Sequence, residues 1–244
     1  MITDPSLYLP LLLLGAFAAA FVTGAVGFAD ALILNAIWLH IMAPSAAIPL
    51  VVSCGIAMHA VPLFKLRKQL NFSRLPPFLL AGILGVPAGA YMLTRLDPAF
   101  FRTFIGGMLA VYGLWMLLKP KTTVGEAGGR KLDSIVGLAG GFMGGFAGLS
   151  GLFPTLWAGL RGWPKDKQRG VYQPFVLVMH ALGILVFAAA GLITVRTGID
   201  LLWCLPAIII GSWLGVLVYP HLNDAVFRRI IQGLVLISGI SLLL

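Results

Sequence analysis

The sequence states one pattern twice. Gly24-Ala25-Val26-Gly27-Phe28 returns as Gly145-Phe146-Ala147-Gly148-Leu149, at an offset of 121 residues. At the same offset Met58-His59-Ala60 falls on Met179-His180-Ala181. Leu96-Asp97 and Phe101-Arg102 return as Leu222-Asn223 and Phe227-Arg228 at an offset of 126. Gly85 and Gly89 fall on Gly211 and Gly215 in that second register, so a loop near residue 195 has gained about five residues. Two like halves fold by packing a unit against its copy, and a working site can then lie on the axis between them.

Composition names the solvent in which this packing occurs. Hydrophobic residues make up 59% of the chain and charged residues 10%, against about a quarter charged in a soluble domain. The expected surroundings are a lipid bilayer. The 30 glycines and 15 prolines suit membrane helices, where small residues let backbones approach and freed backbone groups are satisfied inside the protein. A net charge of +9 could indicate nucleic acid, but the basic residues cluster at the ends of apolar segments, where membrane orientation explains them and no nucleic-acid partner is expected. Met1-Ile2-Thr3-Asp4 has no basic leader, so no cleavable signal is expected. Cys54 and Cys204 sit in apolar runs and read as packing residues.

Each half holds five apolar segments: about 7–23, 27–42, 46–64, 75–94 and 98–118, then 134–146, 151–160, 171–194, 200–219 and 223–243. A full span needs about 20 residues. The last three segments of each half meet that length. The leading pair of the second half reaches only ~14 and ~10 residues, or ~21 and ~15 Å at 1.5 Å per residue. It reads as a re-entrant hairpin with its tip between Gly144 and Gly151, and the longer first-half pair as crossing more fully. The expected fold is an all-α polytopic membrane protein: a first repeat over 1–120, a cytoplasmic linker over 121–133 and a second repeat over 134–244.

Charge orients the halves. With the loop 65–74 inside, the inside segments hold Lys65, Arg67, Lys68, Arg74, Lys119, Lys121, Arg130, Lys131, Arg161, Lys165, Lys167, Arg169, Arg228 and Arg229, or 14 of 17 Lys and Arg. Only Arg95, Arg102 and Arg196 fall outside. The basic loop follows the third segment in the first half and precedes it in the second, so equivalent loops lie on opposite sides. That is the pattern of inverted repeats with both termini outside.

Polar groups collect near the midplane. Asp30, Asn35, His59, Gln173 and His180 all lie in apolar context, with Ser53, Ser150 and Thr155 in register. Ionisable residues there are costly and mark function by default. Asp30 could instead cap the helix that follows it, and His59 and His180 could be packed against carbonyls. Gln173 precedes Pro174, which is expected to break its segment. His40 and His221 fall at segment ends and read as interfacial anchors. Gly24, Gly27, Gly145 and Gly148 mark half-helix starts where unpaired N–H groups can meet an anion, or else they permit close packing.

The two tips resemble those of the sulfite exporter TauE/SafE family of membrane permeases. The family motif, roughly Gly-x-Gly-Gly-Gly-x-x-x-Pro, is matched approximately by Gly148-Leu149-Ser150-Gly151-Leu152-Phe153-Pro154. It is matched more loosely by Gly27-Phe28-Ala29-Asp30-Ala31, with Asn35 near the place of the proline. The resemblance implies export of a small anion, sulfite or an organosulfonate, across the inner membrane. Gly24, Gly27, Phe28, Asp30, Asn35, Gly145, Gly148, Ser150, Gly151 and Gln173 would form the substrate site, with Asp30, His59 or His180 carrying a coupling proton. The lost glycines and the added Asp30 depart from the motif where the anion would sit. No nucleotide-binding loop is present, so no cofactor is expected.

Two rival readings remain at this stage. Gly148-Leu149-Ser150-Gly151 spells the Gly-x-Ser-Gly of intramembrane serine proteases, with His180 as a conceivable base. Alternatively, Asp30, His59 and His180 could pass a metal or another cation, although no paired Cys or His-x-x-His spacing marks a metal site.

Overall fold

The computed structural model describes residues 5–65, 74–118, 123–125 and 128–243. These are helical with no strand. The first half comprises α1 (Pro5–Val26), α2 (Asp30–Trp38), α3 (Pro44–Lys65), α4 (Leu75–Leu93) and α5 (Pro98–Leu118). The second comprises α6 (Gly129–Ala147), α7 (Leu152–Leu160), α8 (Lys165–Ala189), α9 (Val195–Val218) and α10 (Asp224–Leu243), with a 3-10 turn at Tyr219–His221. Among the described residues, four stretches are long and apolar enough to cross a membrane: Ser6–Val26, Leu75–Leu93, Lys165–Ala189 and Val195–His221.

The leading pairs differ from the sequence expectation. α6 has 19 residues and starts at Gly129, inside the stretch read as linker, which gives it about 28 Å of length. Its first turn is charged, so apolar scanning missed it. Asp133 there is buried, its Oδ1 held by Arg161 Nη2 at 2.9 Å and by the Trp157 indole at 2.8 Å. In the first half, the segment read as 27–42 shortens to the nine-residue α2, which gives way to a hydrogen-bonded turn over 39–42 before Pro44 opens α3. Each leading pair is therefore one long helix and one nine-residue helix. α8 likewise starts early, at Lys165, and runs unbroken through Pro174, against the expected break.

Two of the cations read as lying in loops, Arg161 and Arg169, are buried inside the protein, and Arg169 lies within α8. Arg67, Lys68, Lys119, Lys121 and the Met1–Asp4 segment lie outside the described residues.

Glycine sets the packing. α1 and α9 run side by side in the same direction, Tyr8 meeting Asp200 at one end and Gly24 meeting Gly215 towards the other. α4 and α6 do the same, with Gly82 against Gly141 and Gly89 against Phe142. By contrast α3 and α8 run antiparallel, Gly55 near His180 and Val52 near Gly183. α5 and α10 are also antiparallel, Gly106 near Leu242 and Gly113 near Leu236. A Cβ at Gly24 would lie 2.5 Å from the Ser212 carbonyl oxygen, so these crossings admit only glycine. The recurring Gly85/Gly89 and Gly211/Gly215 pairs occupy such contacts in both halves. Leu80, Leu84, Leu185, Leu202 and Trp203 point outward, as a lipid-facing surface requires.

Candidate functional site

The two nine-residue helices point their N-termini at one cavity. In the first tip, α1 ends at Val26, Gly27 takes φ 87° and Ala29 takes φ 90°, and α2 begins at Asp30. In the second, Gly148 closes α6 at φ 71° and Gly151 precedes α7. Phe28, Ala29, Asp30, Ala31, Leu32, Gly148, Leu149, Gly151 and Leu152 line the space between them. Its volume is about 10 Å³, room for roughly one water molecule.

Asp30 is the charge at this cavity, and it is 4% exposed. Ala29, not Asp30, occupies the cap position, and Ala29 makes no side-chain cap bond. The Asp30 carboxylate faces two buried histidines instead: His59 Nε2 lies 3.3 Å and His180 Nδ1 3.7 Å from its Oδ2. The sequence mates from α3 and α8 thus converge on a residue of the first tip, their rings 5.6 Å apart. His180 Nε2 lies 3.2 Å from the Gly148 carbonyl, so that nitrogen carries the proton and donates. Gly55, one turn before His59, makes the space: a Cβ there would lie 2.8 Å from Asp30 Oδ2 and against the His180 ring. The sequence reading missed Gly55, although its spacing of four from His59 puts both on one helix face.

Different side chains hold the two tips. Arg169 donates from Nη2 to the Gly24 carbonyl at 2.7 Å and from Nε to Gln173 Oε1 at 2.9 Å. Its guanidinium stacks 4.3 Å over Tyr219, and its shank packs on Gly27. The Tyr172 hydroxyl donates to the Val26 carbonyl. The second tip is held by the His180 bond and by Asn35, whose Nδ2 donates to the Ala147 carbonyl at 2.8 Å. Arg169 and Tyr172 were not singled out from sequence, because a charge near a segment end reads as a loop cation.

The expected substrate residues therefore separate into groups. Phe28, Asp30, Gly148 and Gly151 line the cavity. Gly24 and Gly145 sit at helix crossings, against Gly215 and against Val86 and Ala90. Gly27 lies on Arg169, while Asn35 and Gln173 serve the tips as described. Ser150 is fully buried and its Oγ has no hydrogen-bond partner. The nucleophile–base bond that a serine protease needs is therefore absent between Ser150 and His180. Cys54 and Cys204 are buried free thiols.

A wider cavity of about 330 Å³ lies beside the start of α1 and α9, lined by residues that include Tyr8, Leu50, Thr194, Arg196 and Asp200. Asp200 accepts from the Tyr8 hydroxyl at 2.6 Å and from Arg196 Nε at 3.0 Å.

The family model described as Sulfite exporter TauE/SafE matches residues 11–242. The chain belongs to this family. It is accordingly a multi-pass membrane protein of a TauE/SafE transporter family that exports sulfite and related sulfur anions, and its long apolar helices agree. The TauE/SafE match spans both tips and both histidines. No curated protein and no solved structure matches the chain.

Proposed function

We propose that this protein is a secondary transporter exporting a small sulfur-containing anion, sulfite or an organosulfonate, across the inner membrane. The observation that carries this reading is the meeting of two half-helix N-termini at one cavity. Each brings orphan N–H groups and a positive dipole end, which together suit an anion. Sulfite is larger than the single water this space admits, so the tips part to load it. The wider cavity flanked by Arg196 and Asp200 lies on the side the charge pattern assigns to the periplasm and serves as the exit vestibule.

The repeats are inverted in this reading, with 1–120 and 134–244 as the two halves and both termini periplasmic. The antiparallel courses of α3 and α8, and of α5 and α10, support it. Asp30, flanked by His59 and His180, carries the coupling proton. A fixed negative charge beside a bound anion repels it by several kcal/mol in a partly dry cavity, so proton and anion travel together.

A thermal-shift screen of the purified protein against sulfite, sulfate, alkylsulfonates and carboxylates tests the substrate class. Sulfite or a sulfonate should stabilise by about 2.7 kcal/mol at a hundredfold excess over Kd. Gly151→Ala, at an ordinary φ of −74°, should abolish that shift while leaving the apo protein monodisperse. A shift with carboxylates alone contradicts the reading.

A further inference from the structure

Three donor atoms converge where no hydrogen bond joins them. Asp30 Oδ2, one nitrogen of His59 and one of His180 lie within 4.8 Å of one another, and all three residues are buried. Asp30 Oδ2, His180 Nδ1 and both nitrogens of His59 have no hydrogen-bond partner. His180 spends its proton on the Gly148 carbonyl, so the Nδ1 that faces Asp30 presents a lone pair to a carboxylate oxygen. A cation held between the donors would satisfy all three. One proton can bridge one nitrogen–oxygen gap and leaves the other donor bare, whereas a metal ion engages all three.

Two of the three ligand separations fit an ion of zinc size, and the two histidine nitrogens lie within 4.8 Å of each other. Ligands 2.0–2.1 Å from a tetrahedral zinc lie about 3.4 Å from one another. The two histidine–carboxylate separations here are 3.3 and 3.7 Å. Two imidazoles and one carboxylate suit zinc and its first-row neighbours rather than calcium or magnesium, which favour oxygen donors. Three protein ligands leave a fourth position, and Asp30 borders the cavity between the tips.

We propose that Asp30, His59 and His180 form a binding site for one divalent first-row transition-metal ion of the zinc type. The ion takes the seat that the coupling proton uses in transport, so it competes with that proton. The site brings α2 and α3 together with α8, and a bound ion clamps the first tip to the second half. Sequence spacing could not reveal it, because the ligands are separated by 29 and 121 positions.

The test uses the full purified chain and the metal alone. Zn²⁺ should raise the melting temperature saturably at one ion per chain, with affinity at least tenfold weaker at pH 6 than at pH 7.5, since the ligands must be deprotonated. His59→Gln and His180→Gln should each abolish the shift and Asp30→Asn should weaken binding at least tenfold, while His40→Gln and His221→Gln change nothing. Co²⁺ added to the wild-type protein should give the intense visible bands of tetrahedral coordination, a readout that needs no variant to fold. No shift with Zn²⁺ and no visible band with Co²⁺ overturn the proposal, as does binding that survives in the His59 and His180 variants or vanishes in those of His40 and His221. The site shares its residues with the proposed coupling, yet the two fail separately. Zinc can fail to bind while sulfite still stabilises, and sulfite can have no effect while zinc binds.

Discussion

The two tips share a scaffold and differ in chemistry. Both are a glycine in the left-handed region followed by a nine-residue helix. The second, Gly148-Leu149-Ser150-Gly151, is uncharged. The first, Gly27-Phe28-Ala29-Asp30, carries a buried carboxylate at the position where the second tip has Gly151, and both His59 and His180 face that carboxylate. The fastening differs as well. A guanidinium and a phenol hold the first tip, and an amide and an imidazole hold the second. Two helix N-termini meet at one cavity, and only the first carries an ionisable group.

That asymmetry can be broken experimentally. Arg169→Met removes donors to Gly24 and Gln173 and should cost about 3 kcal/mol, seen as the largest fall in melting temperature. Gly27→Ala and Gly148→Ala each force alanine into the left-handed region, about 1–2 kcal/mol. Gly27→Ala should be the worse, because its Cβ meets three Arg169 atoms at 2.8–3.0 Å. Ala29→Gly should act the other way, stabilising by up to about 1 kcal/mol by relieving the left-handed alanine; no gain in melting temperature would deny strain at the first tip. Asn35→Leu removes one bond to the second tip but also an unpartnered Oδ1, so its loss should stay near 1 kcal/mol. An Asn35→Leu loss equal to that of Arg169→Met would erase the contrast in fastening.

The orientation has its own test. Ser6→Cys and Thr123→Cys should label from opposite faces with a membrane-impermeant maleimide, against a low background from the buried Cys54 and Cys204. Labelling of both from one side contradicts the inverted arrangement.

Much of this was legible in the chain. The duplicated glycines at 24 and 145, and at 85 and 211, mark equivalent packing contacts because only glycine admits a crossing backbone. Asp30, His59 and His180 stood out as ionisable residues in apolar runs. Their convergence was not legible, since it depends on how α2, α3 and α8 pack. The starts of α6 and α8 were hidden because both open on charged turns; in α6 the charge that follows, Asp133, is buried against Arg161. Arg169 was misread for the same reason. Sequence gives its charge, and only the fold shows that the charge is spent on the first tip.

The central claim is that the carboxylate of the first tip couples proton and anion movement. Sulfite flux in proteoliposomes, measured across a series of pH values for wild type and Asp30→Asn, tests it most directly. Asparagine mimics the protonated acid, so the variant should keep sulfite-induced stabilisation and transport at a rate independent of pH, while His59→Gln and His180→Gln keep a pH-dependent profile. A wild-type pH profile in Asp30→Asn would contradict the account and leave Asp30 as a buried charge at a helix start.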